Sequence, residues 1–128
     1  MRALLRLTTT RGLLRLVRFD RVRRFLDSRP RGTAPADPRA AARRVRRAMS
    51  RAERTLPGST CLARSVAAEW LLREQGLSAR LSIGVATATP GADVALDAHA
   101  WVESEGLVIA GDGELDRYAA LVSFGSPA

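Results

Sequence analysis

The chain has 128 residues, 46% of them hydrophobic, with 21 basic side chains against 13 acidic ones and a formal net charge of +8. That length is one domain's worth, and the apolar content suffices for a modest core, so a disordered chain is excluded. A single cysteine excludes an internal disulfide and suits a reducing cytoplasm, and no apolar run approaches the ~20 residues of a membrane span.

In chain order, Met1 to Leu7 is broken by arginine and threonine too soon for a secretion signal, so a cytoplasmic protein is expected. Residues 2–27 carry Leu14, Val17, Val22, Phe25 and Leu26, with seven arginines between residues 11 and 29, a pattern that predicts a helix. Residues 28–36 form a Pro/Gly linker and divide the chain into an arginine-rich N-terminal segment, 1–36, and a core, 37–128. Asp37-Pro38 opens a second helix, with Asp as the N-cap and Pro in the first helical position. Ala41, Val45, Ala48, Ala52 and Leu56 are its expected buried stripe, opposite Arg39, Arg43, Arg46, Arg47 and Arg54.

This basic half could bind nucleic acid, an acidic peptide, a partner subunit or an anionic membrane, or it could simply be a solvated face. All its basic residues are arginine and lysine is absent, which points to a coding bias and discounts the charge as a functional signal. There are no zinc-spaced ligands, no helix-turn-helix signature, no aromatic platform and no phosphate loop; Gly111-Asp112-Gly113 is too short for one. No nucleic acid, membrane, metal or cofactor is therefore expected as a partner.

Pro57-Gly58-Ser59-Thr60 is turn chemistry, with Ser59 or Thr60 as N-cap for a third helix over residues 61–75 that stops at Gly76. Leu62, Ala63, Val66, Ala67, Ala68, Trp70, Leu71 and Leu72 wrap most of that cylinder in apolar surface, so it is expected to be buried. Cys61 stands in its first turn, where unpaired N–H groups and the positive dipole end favour a thiolate. Taken alone, a free cysteine is more often a small core hydrophobe.

Leu81, Ile83 and Val85 alternate within a strand over residues 77–88, followed by a Pro/Gly/Asp loop at 89–97. Residues 98–104 and 107–112 flank Glu105-Gly106, a two-residue hairpin turn. Counting outward from that turn pairs Ser104 with Leu107 and His99, the only histidine, with Asp112. Opposed residues share a face with Cβ atoms about 4.5–5.5 Å apart, so a carboxylate is expected beside the imidazole. Asp97, on the same strand face, is the reserve acid. Trp101 lies on the His99 face too; sheet packing is its expected role, and walling a substrate groove the alternative. Arg64 is expected at the surface, within reach of a substrate or partner. Residues 118–124 are read as a short closing helix or strand.

A helix-borne cysteine, a strand histidine and an aspartate on the next strand follow the order of the papain-like transglutaminase core. The runs Cys61-Leu62-Ala63-Arg64-Ser65, residues 76–85, Ala98-His99-Ala100-Trp101-Val102-Glu103 and Gly111-Asp112-Gly113 resemble the transglutaminase-like leader peptidase of lasso-peptide biosynthesis, over about residues 38–124. The resemblance implies an α+β fold with the Cys helix packed on a small antiparallel sheet of about three strands. It implies a cysteine protease that removes the leader from a ribosomal precursor peptide, with Cys61, His99 and Asp112 as catalytic triad. As partners it implies the precursor, a separate leader-recognition protein and the lasso cyclase. Many relatives have a shorter segment before the histidine than residues 87–97 here. A transglutaminase or amidase with the same triad, and a non-catalytic protein binding peptide or nucleic acid through its basic helices, are the competing readings.

Overall fold

The computed structural model describes residue 3 and residues 19–56, 58, 60–87, 96–111 and 118–125. Among these are three helices, α1 (Phe19–Ser28), α2 (Pro38–Thr55) and α3 (Cys61–Glu74). They are followed by four strands, β1 (Arg80–Thr87), β2 (Leu96–Ser104), β3 (Leu107–Ala110) and β4 (Ala119–Gly125). The strands form one antiparallel sheet in the order β3-β2-β1-β4, an α+β fold as expected. The sheet has four strands rather than three, because residues 119–125 add to the free edge of β1. Their apolar run has no period by which the sequence could separate a strand from a helix. No described helix is long and apolar enough to cross a membrane.

Helices α2 and α3 begin where their local chemistry dictates. Asp37 caps α2, its Oδ1 accepting from the Ala40 amide at 3.1 Å, and Pro38 takes the first position. The buried face of α2 is Ala41, Ala42, Val45, Met49 and Ala52, with Ala48 and Leu56 packed beside it. Met49 lies one turn beyond Val45 and fills the stripe at the helix centre. Thr60 caps α3, accepting from the Ala63 amide at 3.1 Å, while Ser59 lies outside the described residues. At the far end Gly76, at φ +71°, bonds back to the Arg73 carbonyl and Leu77 bonds to the Leu72 carbonyl, the paired bonds of a Schellman stop. A side chain at Gly76 would meet the Thr33 backbone at 2.4 Å, so the linker between α1 and α2 depends on that glycine too.

Helix α3 is the centre of the molecule. Val66, Ala67 and Leu72 are fully buried, and so are Ser65 and Glu69. One such side chain as large as Leu72 contributes roughly 1.5–3 kcal/mol by leaving water. Helix α1 packs into the same core through Val22 and Leu26, and Phe25 meets Trp70 edge to face at 5.4 Å. Leu14 and Val17 lie outside the described residues. Arg23 of α1 reaches Glu69 with both terminal guanidinium nitrogens, Nη2 to Oε1 at 3.1 Å, and its cation sits 4.7 Å over the Phe124 ring of β4. Asp27 joins the group through Arg23 at 3.2 Å and Arg73 at 3.4 Å. A buried carboxylate is tolerable only with such partners.

Side-chain alternation sets the two faces of the sheet. Leu81 pairs with Val102 and Ile83 with Ala100, and Leu81, Ile83 and Val102 pack into the core with α3. Ser82 pairs with Trp101 and Gly84 with His99, so these four residues share the other face.

Candidate active site

Cys61 is the first residue of α3, a free and half-buried thiol. The Thr60 cap takes up the amide of Ala63 and its carbonyl takes that of Arg64, so neither bond uses the amide of Cys61 itself. The direction of α3 follows from its tight turn into β1. Glu69 lies at the end of the sheet where Arg80 pairs with Gly125, since a Cβ on Gly125 would stand 3.1 Å from its Oε1. From Glu69 back to Cys61 the helix rises about 12 Å, and from Arg80 to Gly84 the strand rises about 13 Å. This places Cys61 toward the end of the sheet at which Gly84 pairs with His99, with His99 on the face opposite the one that packs on α3.

His99 is half-buried and held on three sides. Trp101 stacks near it, ring centroids 6.1 Å apart, and Tyr118 lies against it at 5.0 Å. Its Nε2 bonds to the carbonyl of Gly111 at 2.5 Å. A carbonyl can only accept, so Nε2 carries a proton in this bond, and Nδ1 is the nitrogen left over for another partner. Glycine is required at both neighbouring positions. A Cβ on Gly84 would stand 2.9 Å from the Trp101 ring, and one on Gly111 (φ +79°) would stand 2.2 Å from the Ala100 carbonyl. The close approach that brings the Gly111 carbonyl to the imidazole therefore excludes every other residue there.

The hairpin follows the expected register only part of the way. Glu105 and Gly106 both have positive φ, as a type I′ turn demands, and Ser104 pairs with Leu107 and Glu103 with Val108. The register then shifts, and Val102 pairs with Ala110 across a bulge at Ile109. Strand β3 ends at Ala110, so the straight count that opposed His99 to Asp112 does not hold. The bulge supplies the slack that lets Gly111 pass close behind Ala100 and Trp101. Asp112 itself, with Gly113, lies outside the described residues, as do the loop at 88–95 and the Asp97 side chain.

The structure thus gathers His99, Trp101, Gly111 and Tyr118. Among the described residues no hydrogen bond joins His99 to Cys61. Trp101 is almost wholly buried over Gly84, which fits the sheet-packing role. Arg64, one turn beyond Cys61, is half-buried rather than exposed, and its Nε is enclosed without a hydrogen-bond partner among the described residues. Tyr118, the only tyrosine, escaped sequence reasoning because its place beside His99 depends on where β4 joins the sheet.

Residues 3–123 match the Transglutaminase-like superfamily, and the chain belongs to it. Members of that superfamily are typically cysteine-dependent hydrolases and transferases, among them cysteine proteases and amidases. The match begins well before residue 38, and so takes in the α1 helix that shares the core. No curated protein and no solved structure is found to match the chain.

Proposed function

We propose that the protein is a cysteine peptidase acting in the cytoplasm, that its substrate is a ribosomally made lasso-peptide precursor, and that Cys61, His99 and Asp112 form its triad. The observation that carries this reading is the bond from His99 Nε2 to the Gly111 carbonyl. It holds the imidazole in the tautomer whose free Nδ1 can take a proton from a thiol, and it does so from the residue adjoining Asp112. Cys61 at a capped helix start supplies the second support. The proposed mechanism requires thiol and imidazole to meet when substrate binds; catalytic hydrogen bonds are often loose without substrate and tighten on binding.

The chemistry then runs in two halves. His99 removes the thiol proton, and the Cys61 sulfur attacks the scissile carbonyl, with the Cys61 amide as a donor to the oxyanion. The tetrahedral adduct collapses, the C–N bond breaks, and His99 gives its proton to the departing amine. Water, deprotonated by the same imidazole, cleaves the thioester and frees Cys61. A separate leader-recognition protein that holds the precursor near Cys61 would raise its effective concentration there, lowering KM far more than it raises kcat.

The test is incubation with candidate precursor peptides, alone and with a leader-recognition protein, read by mass spectrometry. A single cut between leader and core, lost in Cys61→Ala, is the expected result. Substantial cutting by Cys61→Ala overturns the assignment. A glutamine-containing peptide as acyl donor and a primary amine as acceptor, in a parallel reaction, distinguish a transglutaminase, which would release ammonia and give the amide-linked product instead.

A further inference from the structure

The solvent face of α2 carries seven arginines, and Glu53 is the only carboxylate on the helix. Arg39, Arg43, Arg47 and Arg51 stand at intervals of four residues, in one exposed row along the axis. Arg46, Arg47, Ser50, Arg51 and Arg54 line a surface groove of about 310 Å³ beside it. Apart from Arg39, whose Nη1 donates to the Glu105 carbonyl at 3.1 Å, no described hydrogen bond or ion pair takes up an α2 guanidinium. This contrasts with Arg23 and Arg73, whose guanidinium groups are both paired with carboxylates. Like charges one turn apart repel, so the row costs stability unless something anionic lies on it.

We propose that this face docks an acidic, extended stretch of the peptide substrate, with alternate carboxylates meeting Arg43, Arg47 and Arg51. The spacing suits such a ligand. Four helical residues rise about 6 Å, and every second side chain of an extended peptide lies about 6.6 Å from the last on one face. The start of the row is at the hairpin turn, where Arg39 meets Glu105, and its far end is joined to the proposed nucleophile by a stretch of chain, Arg54 to Cys61, that spans at most about 25 Å. A nucleic-acid backbone offers charge as well, but the face has no aromatic ring to stack a base and no Asn or Gln to read one. A membrane is disfavoured because the apolar face of α2 is turned into the core.

The inference rests on the peptidase reading only in identifying the ligand as substrate, so binding is measured without catalysis. Full-length Cys61→Ala protein is titrated into a labelled peptide of alternating Glu and Ser, into its Gln-Ser counterpart, and into a single-stranded oligonucleotide of matching charge, by fluorescence anisotropy. The Glu peptide should bind, weakening as salt is raised, and the Gln peptide should not. Replacing Arg47→Glu and Arg51→Glu together should weaken binding about tenfold or more, as expected for the loss of two exposed ion pairs with added repulsion. Arg47→Gln with Arg51→Gln should fall between and guards against misfolding of the reversed variant; circular dichroism checks both. Equal affinity in all three proteins overturns the proposal, and so does an oligonucleotide that binds more tightly than the Glu peptide at the same ionic strength. If the Glu peptide binds as described but no precursor is ever cut, the docking face stands and the peptidase assignment fails.

Discussion

Helices α2 and α3 follow one another in the chain and use charge in opposite ways. On α2 the arginines point outward and the helix holds to the core by one stripe of small apolar residues. On α3 the apolar residues go all round, and the charged Glu69 and Arg73 are inside with them. An arginine in this protein therefore has no fixed meaning. Its role depends on whether a carboxylate waits for it in the core, as Glu69 does for Arg23, or whether it faces water without a described acid, as most of the α2 row does. It follows that substitutions on α3 should strike the chemical step or folding, and those on the α2 face only the binding of an acidic peptide.

The largest effects belong at the start of α3. Cys61→Ala should lower precursor cleavage at least about a thousandfold, with Cys61→Ser nearly as inactive and His99→Ala comparable. Denaturation curves should barely move for Cys61→Ala, because a half-buried thiol at a helix start contributes little packing. A useful companion is the rate at which iodoacetamide alkylates Cys61. If His99 draws the thiol proton, His99→Ala should slow alkylation; an unchanged rate would place the imidazole out of reach of the sulfur.

Next in size is the buried pair. Glu69→Ala leaves the Arg23 guanidinium in the core without its main partner and should cost about 3–5 kcal/mol in urea denaturation. Replacing both residues with apolar ones of similar volume, Glu69→Leu with Arg23→Met, should recover most of that loss. A double variant as unstable as Glu69→Ala would mean that the pair does more than neutralise itself, for instance by fixing α1 against the ring of Phe124.

These features were unequally legible in the sequence. Asp37-Pro38, Thr60, Gly76 and the Glu105-Gly106 turn obey rules that act over a few residues, and each element boundary they imply is close to the observed one. The bulge at Ile109 was not legible, since it answers to a contact between Gly111 and the Ala100–Trp101 backbone that only the folded hairpin creates. Nor was the Arg23–Glu69 pair, whose partners stand 46 residues apart and differ in no local way from the exposed charges around them. At the site, Cys61 and His99 could be named from their settings, whereas the carbonyl that holds His99 belongs to a glycine whose value lies in what it lacks.

A smaller effect, on rate rather than stability, separates the groups that orient the imidazole. Asp112→Asn should reduce kcat by orders of magnitude less than His99→Ala, because the Gly111 carbonyl still accepts from Nε2 and keeps the tautomer. Asp97→Asn should be mild. Gly111→Ala, by contrast, forces the backbone away from Ala100 and should lower kcat more than Asp112→Asn does. If Asp97→Asn proves the crippling change, the orienting acid is on β2 and not after β3.

The smallest effect is also the sharpest check on the contrast between the helices. Arg43 is exposed, has no described ion pair, and stands four residues from both Arg39 and Arg47. Arg43→Gln removes no contact with the core and relieves two like-charge neighbours, each worth a few tenths of a kcal/mol at low salt. Stability should therefore stay within about 0.5 kcal/mol of wild type, with the change, if resolved, toward greater stability. Because the relieved term is electrostatic and exposed, it should shrink as salt screens it. Paired melting curves at low and high ionic strength measure this directly. Arg23→Gln, made in parallel, should destabilise strongly at both, since its partner is buried and poorly screened. If Arg43→Gln loses stability on the scale of Arg23→Gln, the α2 arginines hold the fold together, and the distinction between an outward row and an inward pair is lost.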